Sequence, residues 1–297
     1  MLLARQRLLL ALLDAIGRPV RHLEFQKLLF LYAQECETVP SYEFVPYKYG
    51  PFSFTSYADK RKLIAAGLLV DDDHHWALTE AGRATAGRLA LGLAQVAYFC
   101  RDRGLLRGDA LVAEVYRRSP WHATRSEILD QVALDPETRA RIEAAKPRRG
   151  PAGLVTIGYE GRSLENYLNV LLQAGVTLLC DVRRNPVSRK YGFSKGTLNK
   201  ACEGVGLRYA HLPELGIASE QRRGLRTKAD YGDLFARYER QTLPSQRAAL
   251  DTIRGWVAAG ERVALTCLER RPEQCHRHCV AAALERLDGP RLRAQHL

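Results

Sequence analysis

No run of apolar residues in this chain reaches the roughly 18 needed to span a bilayer, so a membrane protein is not expected. The leucine-rich start, Met1 to Asp14, lacks the features of a secretory signal. Arg5 and Arg7 interrupt it, Asp14 follows, and no small-residue cleavage site appears. An amphipathic first helix fits better, and a cytoplasmic location is expected. Cysteine is sparse: seven residues, an odd number, are scattered through 297. That argues against a secreted disulfide framework and for reduced, mostly buried thiols. Internal repeats and low-complexity tracts are missing. So are the Gly-Lys-Ser/Thr of a P-loop and the spaced glycines of a dinucleotide site. The Cys-x5-Arg loop of a phosphatase is also absent, because Glu273 stands six residues after Cys267.

What is present is an ordinary globular composition, 46% apolar and 26% charged, with a length suited to about two domains. The net charge is +12. Residues 1–150 carry 22 Lys and Arg against 18 Asp and Glu, whereas residues 151–297 carry 23 against 15. Within 183–228, 11 basic residues meet only Glu203, Glu214 and Glu220. Basic surplus concentrated in this way points to a polyanionic partner, nucleic acid and most simply DNA. A solvated basic surface without a ligand is the bland alternative. The sequence leaves a homodimer open.

The stretch Ala145-Lys-Pro-Arg-Arg-Gly-Pro-Ala-Gly153 breaks the apolar periodicity and marks a boundary. Residues 1–90 are expected to form one domain, 91–150 a helical extension and linker, and 151–297 an α/β domain. In the first, helices are expected over 3–16, 22–37 and 54–66, with a loop over 45–53. In the 22–37 helix, Leu23, Phe25, Leu28, Leu29 and Tyr32 make an apolar stripe. Short strands at 68–70 and 76–78 flank an Asp-rich turn, and a further helix opens at Thr79. Three helices and a two-stranded wing suggest a winged helix. Its third helix would enter the major groove with Lys60, Arg61 and Lys62, and the loop would add Lys48 and Tyr49. A protein-interaction module is the alternative.

From 154 onward, strands alternate with helices, which implies a mostly parallel sheet flanked by helices. Strands are expected at 154–157, 176–182, 207–212 and 261–268. Helices are expected at 163–174, 194–204, 231–242, 244–259 and 272–287. Ligands of such sheets bind beyond the carboxyl ends of the strands. That rule selects Gly158-Tyr159-Glu160-Gly161-Arg162 after the first strand. It selects Asp181, Arg183, Arg184, Pro186, Ser188 and Arg189 after the second, and His211, Glu214 and Gly216 after the third. After the last it selects Cys267, Glu269, Arg270 and Arg271, then Cys275, His276, Arg277, His278 and Cys279. Gly158 and Gly161 allow a tight turn before a helix N-terminus, where free amides favour an anion; a plain strand–helix turn is the alternative. Asp181 and Arg183 share one side of an extended segment, as a phosphate fork or as a structural pair. Asp181 and Glu269 are the leading acid–base candidates. Cys275 and His276 are also catalytic candidates, Cys275 by way of a lowered pKa at a helix start. Cys275 and Cys279, one helical turn apart, would share a face. With Cys267 and a histidine they number enough for a zinc site, but their spacing matches no common zinc pattern. No cofactor is evident; a divalent metal has no support from ligand spacing.

Two resemblances add to this reading. Phe25-Gln-Lys-Leu-Leu-Phe30, Tyr47-Lys-Tyr-Gly-Pro-Phe-Ser53 and Gly67-Leu-Leu with Leu78-Thr-Glu-Ala-Gly82 resemble winged-helix relatives of the Panacea-type antitoxins. Five motifs in order resemble the domain-of-unknown-function 488 family over roughly 154–287. They are Thr156-Ile-Gly-Tyr-Glu-Gly-Arg162, Asp181-Val-Arg-Arg-Asn-Pro-Val-Ser-Arg189, Gly192-Phe-Ser-Lys195, Tyr209-Ala-His-Leu-Pro-Glu-Leu-Gly216 and Cys267-Leu-Glu-Arg-Arg-Pro-Glu-Gln-Cys-His-Arg277. This resemblance implies the α/β fold and the motif residues, but no reaction. The expected function is a DNA-binding protein whose α/β domain hydrolyses nucleic acid, by excision of a modified or damaged base or by phosphodiester cleavage. The alternatives are a non-catalytic DNA-binding regulator that senses a nucleotide-like anion, and an interaction adaptor in phage defence or a toxin–antitoxin pair.

Overall fold

A computed structural model describes residues 1–89, 94–222 and 224–297. The chain divides into two compact units, 1–146 and 147–297. The first is mostly helical, with small antiparallel sheets; the second is α/β.

In the first unit, α1 (Ala4–Ile16) leads through β1 (Val20–Arg21) into α2 (His22–Cys36). The hairpin β2 (Val45–Tyr47) and β3 (Gly50–Phe52) precedes α3 (Phe54–Ala65). Then come β4 (Leu69–Asp71), β5 (His75–Leu78), α4 (Glu80–Leu89), α5 (Ala94–Arg103), α6 (Gly108–Arg118), α7 (Pro120–Ala123) and α8 (Pro136–Ala145). Strands β1, β5 and β4 form an antiparallel sheet in that order. The expected loop over 45–53 is thus partly a hairpin. Pro46 and Pro51 pair opposite each other, and Gly50 takes φ 102°. Proline and glycine in so short a stretch hide the strand pattern.

The sequence shows one apolar stripe on α2, but the helix is buried from Glu24 to Ala33. A helix buried all round must satisfy its polar side chains internally. Gln26 does so twice, accepting from Ser53 N at 2.9 Å and donating to Ser56 Oγ at 2.7 Å. Glu24 accepts from Gly108 N at 3.1 Å. Lys27 donates to the carbonyl of Tyr49 and lies 5.6 Å from the Tyr116 ring centroid. No carboxylate pairs with it among the described residues, and burial lowers its pKa to about 7.

The second unit begins with β6 (Gly153–Gly158) and α9 (Leu164–Gln173), then β7 (Leu178–Asp181), α10 (Lys195–Gly204) and β8 (Arg208–His211). It continues through α11 (Lys228–Arg237), α12 (Arg247–Ala258), β9 (Arg262–Cys267), α13 (Arg277–Asp288) and β10 (Gln295–His296). All five strands pair in parallel, in the order β10-β6-β9-β7-β8. Strands β6 and β7 are buried along their whole length, as a sheet covered on both faces requires. Val263 and Leu265 pack with Ile253 of α12 and with Val280 and Leu284 of α13. Thr266 alternates to the other face, where it accepts from Tyr167 of α9 at 2.7 Å. Adjacent strands β6 and β9 therefore send their outgoing helices, α9 and α13, to opposite faces. A crevice opens at such a switch point.

Three expected helices, 231–242, 244–259 and 272–287, are α-helical over only part of their length. The chain between α11 and α12 passes through a π-turn, Tyr238–Thr242, and a 3₁₀ turn, Leu243–Gln246, around Pro244, whose missing N–H cannot continue the helix. The expected 272–287 helix splits into a 3₁₀ turn, Pro272–Gln274, and α13, with Cys275 extended between them at φ −138° and ψ 137°.

The buried amine of Lys27 generates a pH prediction. Its folded-state pKa lies below that of the unfolded chain, so between about pH 7 and 10 the unfolded state holds more protons and stability rises with pH. Lys27→Met removes this dependence. In urea titrations across that window, the stability of wild type relative to Lys27→Met is expected to climb by up to about 1.4 kcal/mol per pH unit. A difference that stays flat would show that folding does not lower the pKa of Lys27.

Candidate functional site

The site is built on a close approach between two strand ends. Gly158 pairs with Cys267 in register, and a Cβ at Gly158 would lie 1.9 Å from the carbonyl oxygen of Glu269. Only glycine lets the β6 loop run beside the β9 loop. Tyr159 N and Glu160 N donate to the carbonyls of Cys267 and Leu268 at 3.3 and 2.8 Å. The Glu160 carboxylate returns the link by accepting from Arg270 N at 2.9 Å.

Beside these loops opens a cleft of about 620 Å³. Glu160, Glu269 and Glu273 line it together with Arg226 and Arg271; Thr227, Tyr231 and Phe235 contribute from α11 and its cap. Of the residues that the strand-end rule selects, Glu160, Glu269 and Arg271 line this cleft. Arg226, Tyr231 and Phe235 went unread. Their signal was the capping box, in which Thr227 Oγ1 accepts from Asp230 N and the Asp230 carboxylate accepts from Thr227 N. A Thr-x-x-Asp start places α11 at Lys228, three residues earlier than the apolar pattern does.

The other expected residues fall into a buried group and an exposed group. Asp181 is fully buried, and its two oxygens accept four hydrogen bonds. Oδ1 takes Arg183 N and Nε at 3.1 and 2.8 Å, and Oδ2 takes Arg183 Nη2 at 2.5 Å and Tyr209 OH at 2.7 Å. Arg183 also donates to Tyr159 OH and to the Phe193 carbonyl at 3.1 and 2.9 Å. The Tyr159 and Phe193 rings stack at 4.3 Å. Burial opposes the charge on Arg183, but the hydrogen bonds and charge of Asp181 outweigh it and raise its pKa. Each acceptor site of the carboxylate is taken, so this pair braces the loop after β7.

Arg277 is likewise buried. It donates to the carbonyls of Glu269 and Arg270 at 2.5 and 2.9 Å and to Thr156 Oγ1 at 3.4 Å. His276 is fully buried, with Nε2 2.9 Å from the Val182 carbonyl. The expected lowered pKa of Cys275 is corrected. Burial pushes this thiol well above its usual range, and contacts with Cys267 and Glu269 add to the rise. The expected common face of Cys275 and Cys279 is corrected too. Cys275 precedes α13 in extended backbone, so the helical spacing does not apply. Its Sγ lies 3.9 Å from His276 Nδ1, whereas Cys279 contacts His278.

Arg184, Arg189 and Glu214 are exposed, and Ser188 is half-buried, its hydroxyl accepting from Lys190 N at 3.1 Å. Arg162 is half-buried against Asn166 at 3.3 Å. In the first unit, Lys48 and Tyr49 sit exposed in the β2–β3 turn, and Arg61 and Lys62 are exposed on α3. Lys60 is engaged internally. It pairs with Asp71 at 2.5 Å and lies over the Tyr57 and Trp76 rings, at 4.9 and 5.3 Å from their centroids.

The bracing role of Asp181 predicts a stability effect. Asp181→Ala leaves Arg183 buried without its carboxylate and is expected to cost about 3–5 kcal/mol. Arg184→Ala, at an exposed position nearby, should stay within about 0.5 kcal/mol. Urea unfolding of both variants checks this; equal, small effects would contradict the bracing role.

No curated protein matches the chain. Residues 163–284 match the family model named Domain of unknown function DUF488, so the stretch from the cap of α9 into α13 is a DUF488 domain.

Proposed function

We propose that the chain binds DNA and that the cleft of the second unit takes a nucleotide unit of it and hydrolyses a bond there. The observation that carries this reading is the lining of the cleft. Carboxylates of Glu269, Glu160 and Glu273 face a shared space with the guanidinium groups of Arg226 and Arg271. Cations attract the phosphate and offset charge that develops on a leaving oxygen, and a carboxylate activates water. Tyr231 and Phe235 supply ring surface against which a base stacks. Glu269 is the general base of this reading, and Asp181 holds the neighbouring loop rather than touching substrate. The targets that fit are a modified or damaged base at its glycosidic bond and the phosphodiester itself.

In this reading the first unit is a winged helix. Helix α3, followed by the β4–β5 hairpin and paired with β1, has the chain order of that module. Arg61 and Lys62 on α3, with Lys48 and Tyr49 in the β2–β3 turn, are the phosphate contacts; Lys60 is not, since Asp71 holds it. A second reading is a regulator that senses a nucleotide without turnover. The burial and full hydrogen bonding of Asp181, Arg183 and Arg277 favour it, because they describe a rigid frame rather than reactive groups.

Labelled duplex and single-stranded DNA, normal and base-modified, separate these readings. Wild type is expected to bind with an affinity that falls steeply with salt, and Arg61→Ala with Lys62→Ala should flatten the log–log slope by about 1 per lost contact. Glu269→Gln should retain binding and lose product formation. Absence of product from every substrate, or equal turnover by Glu269→Gln, removes the enzymatic reading. Salt-insensitive affinity removes DNA as the partner.

A further inference from the structure

Beneath the cleft, three metal-ligating side chains meet that the proposed function does not use. Cys267 ends β9, Cys275 lies in extended backbone before α13, and His276 is the N-cap of that helix. Their ligand atoms all lie within 4.8 Å of one another, and all three residues are buried. His276 Nδ1 is 3.6 Å from Cys267 Sγ and 3.9 Å from Cys275 Sγ. Tetrahedral zinc with Zn–S about 2.3 Å and Zn–N about 2.05 Å sets its sulfur–nitrogen edges at about 3.6 Å. The side chains therefore already stand near the spacing of a bound ion.

The imidazole is also turned the right way. A carbonyl oxygen can only accept, so Nε2, 2.9 Å from Val182 O, carries the proton. In the neutral ring Nδ1 then presents its lone pair toward the two thiols. A histidine whose second nitrogen is fixed by a backbone carbonyl is the usual arrangement behind a metal ligand. Glu269 brings an oxygen donor to the cluster, its Oε2 lying 3.3 Å from Cys267 Sγ. Cys279 stands outside the cluster, its sulfur 3.4 Å from His278 Nε2.

We propose that Cys267, Cys275 and His276 bind a zinc-class divalent ion, with the fourth position on the side of Glu269. Two thiolates and an imidazole are soft and borderline donors, which select zinc over magnesium or calcium. Binding converts both thiols to thiolates, neutralises the ion and releases two protons to solvent. Three protein ligands leave one position open, the pattern of sites that hold water or substrate rather than closed structural knots. Because Glu269 also lines the cleft, the ion sits one side chain away from it. The site stands whether or not the cleft takes nucleic acid.

The test uses the full-length chain, stripped by a chelator and checked for native circular dichroism, then titrated with Co(II) and with Zn(II). One equivalent of Co(II) is expected to give a thiolate-to-cobalt charge-transfer band and the intense visible bands of tetrahedral cobalt, both erased by Zn(II). Cys267→Ser and Cys275→Ser should lose the charge-transfer intensity, Cys279→Ser should keep it, and Glu269→Gln should keep it with shifted visible bands. X-ray absorption of the zinc-loaded wild type, which needs no variant to fold, should show two sulfur and two nitrogen or oxygen neighbours. A folded wild type without these bands, a zinc shell of nitrogen and oxygen alone, or bands that vanish in Cys279→Ser would overturn the proposal.

Discussion

The buried guanidinium of Arg277 sets the shape of the sheet edge beside which the second unit's cleft opens. It ties two successive carbonyls after β9, those of Glu269 and Arg270, to the first turn of α13, and it reaches Thr156 in β6. A buried cation costs several kcal/mol unless it is well bonded, and here backbone carbonyls and a hydroxyl surround it. The same loop is pressed against Gly158, where no side chain fits. Arginine clamp and glycine gap together fix where Glu269 projects and where Cys275 and His276 turn inward. On the far side of β9, the Asp181–Arg183 pair does the corresponding work for the loop after β7. The two frames meet through His276, which bonds the carbonyl of Val182, the residue between Asp181 and Arg183.

The fold of the second unit was legible because its strands are apolar runs ended by turn residues. The 176–182 run became β7, and Gly175 at φ 66° closed the preceding helix as expected. The two-residue strands β1 and β10 carry no pattern long enough to read. Helical periodicity misled at 272–287, because a proline at the start of a 3₁₀ turn looks the same as a proline at the start of an α-helix. That single misreading set Cys275 on one face with Cys279, so the candidate set with Cys267 and a histidine included a cysteine that stands apart from the cluster. The spacing of 267, 275 and 276 matches no common zinc pattern, because the contact arises from a strand end folding against the following loop.

The strand-end rule selects the edge of the sheet beside which the cleft opens, but not the division of labour on it. Charge and chemistry in a sequence mark Asp181, Arg183 and Arg277 equally with Glu269. Burial separates them: the first three form the frame, and Glu269 lines the open cleft. The residues that complete that cleft come from α11, far from any strand end. In the first unit, three consecutive basic residues on α3 point around the helix rather than along one face; Lys60 is tied to Asp71 while Arg61 and Lys62 remain exposed.

The central claim is that the cleft between the β6 loop, the β9 loop and α11 receives an anionic, nucleotide-like ligand. A crystal structure of the full chain soaked with a nucleoside monophosphate tests it most directly. The account predicts density in that cleft, with the phosphate against Arg226 and Arg271, the base on Tyr231 or Phe235, and the Glu269 carboxylate facing the sugar. A nucleotide found elsewhere on the chain while this cleft stays empty at saturating concentration would contradict it.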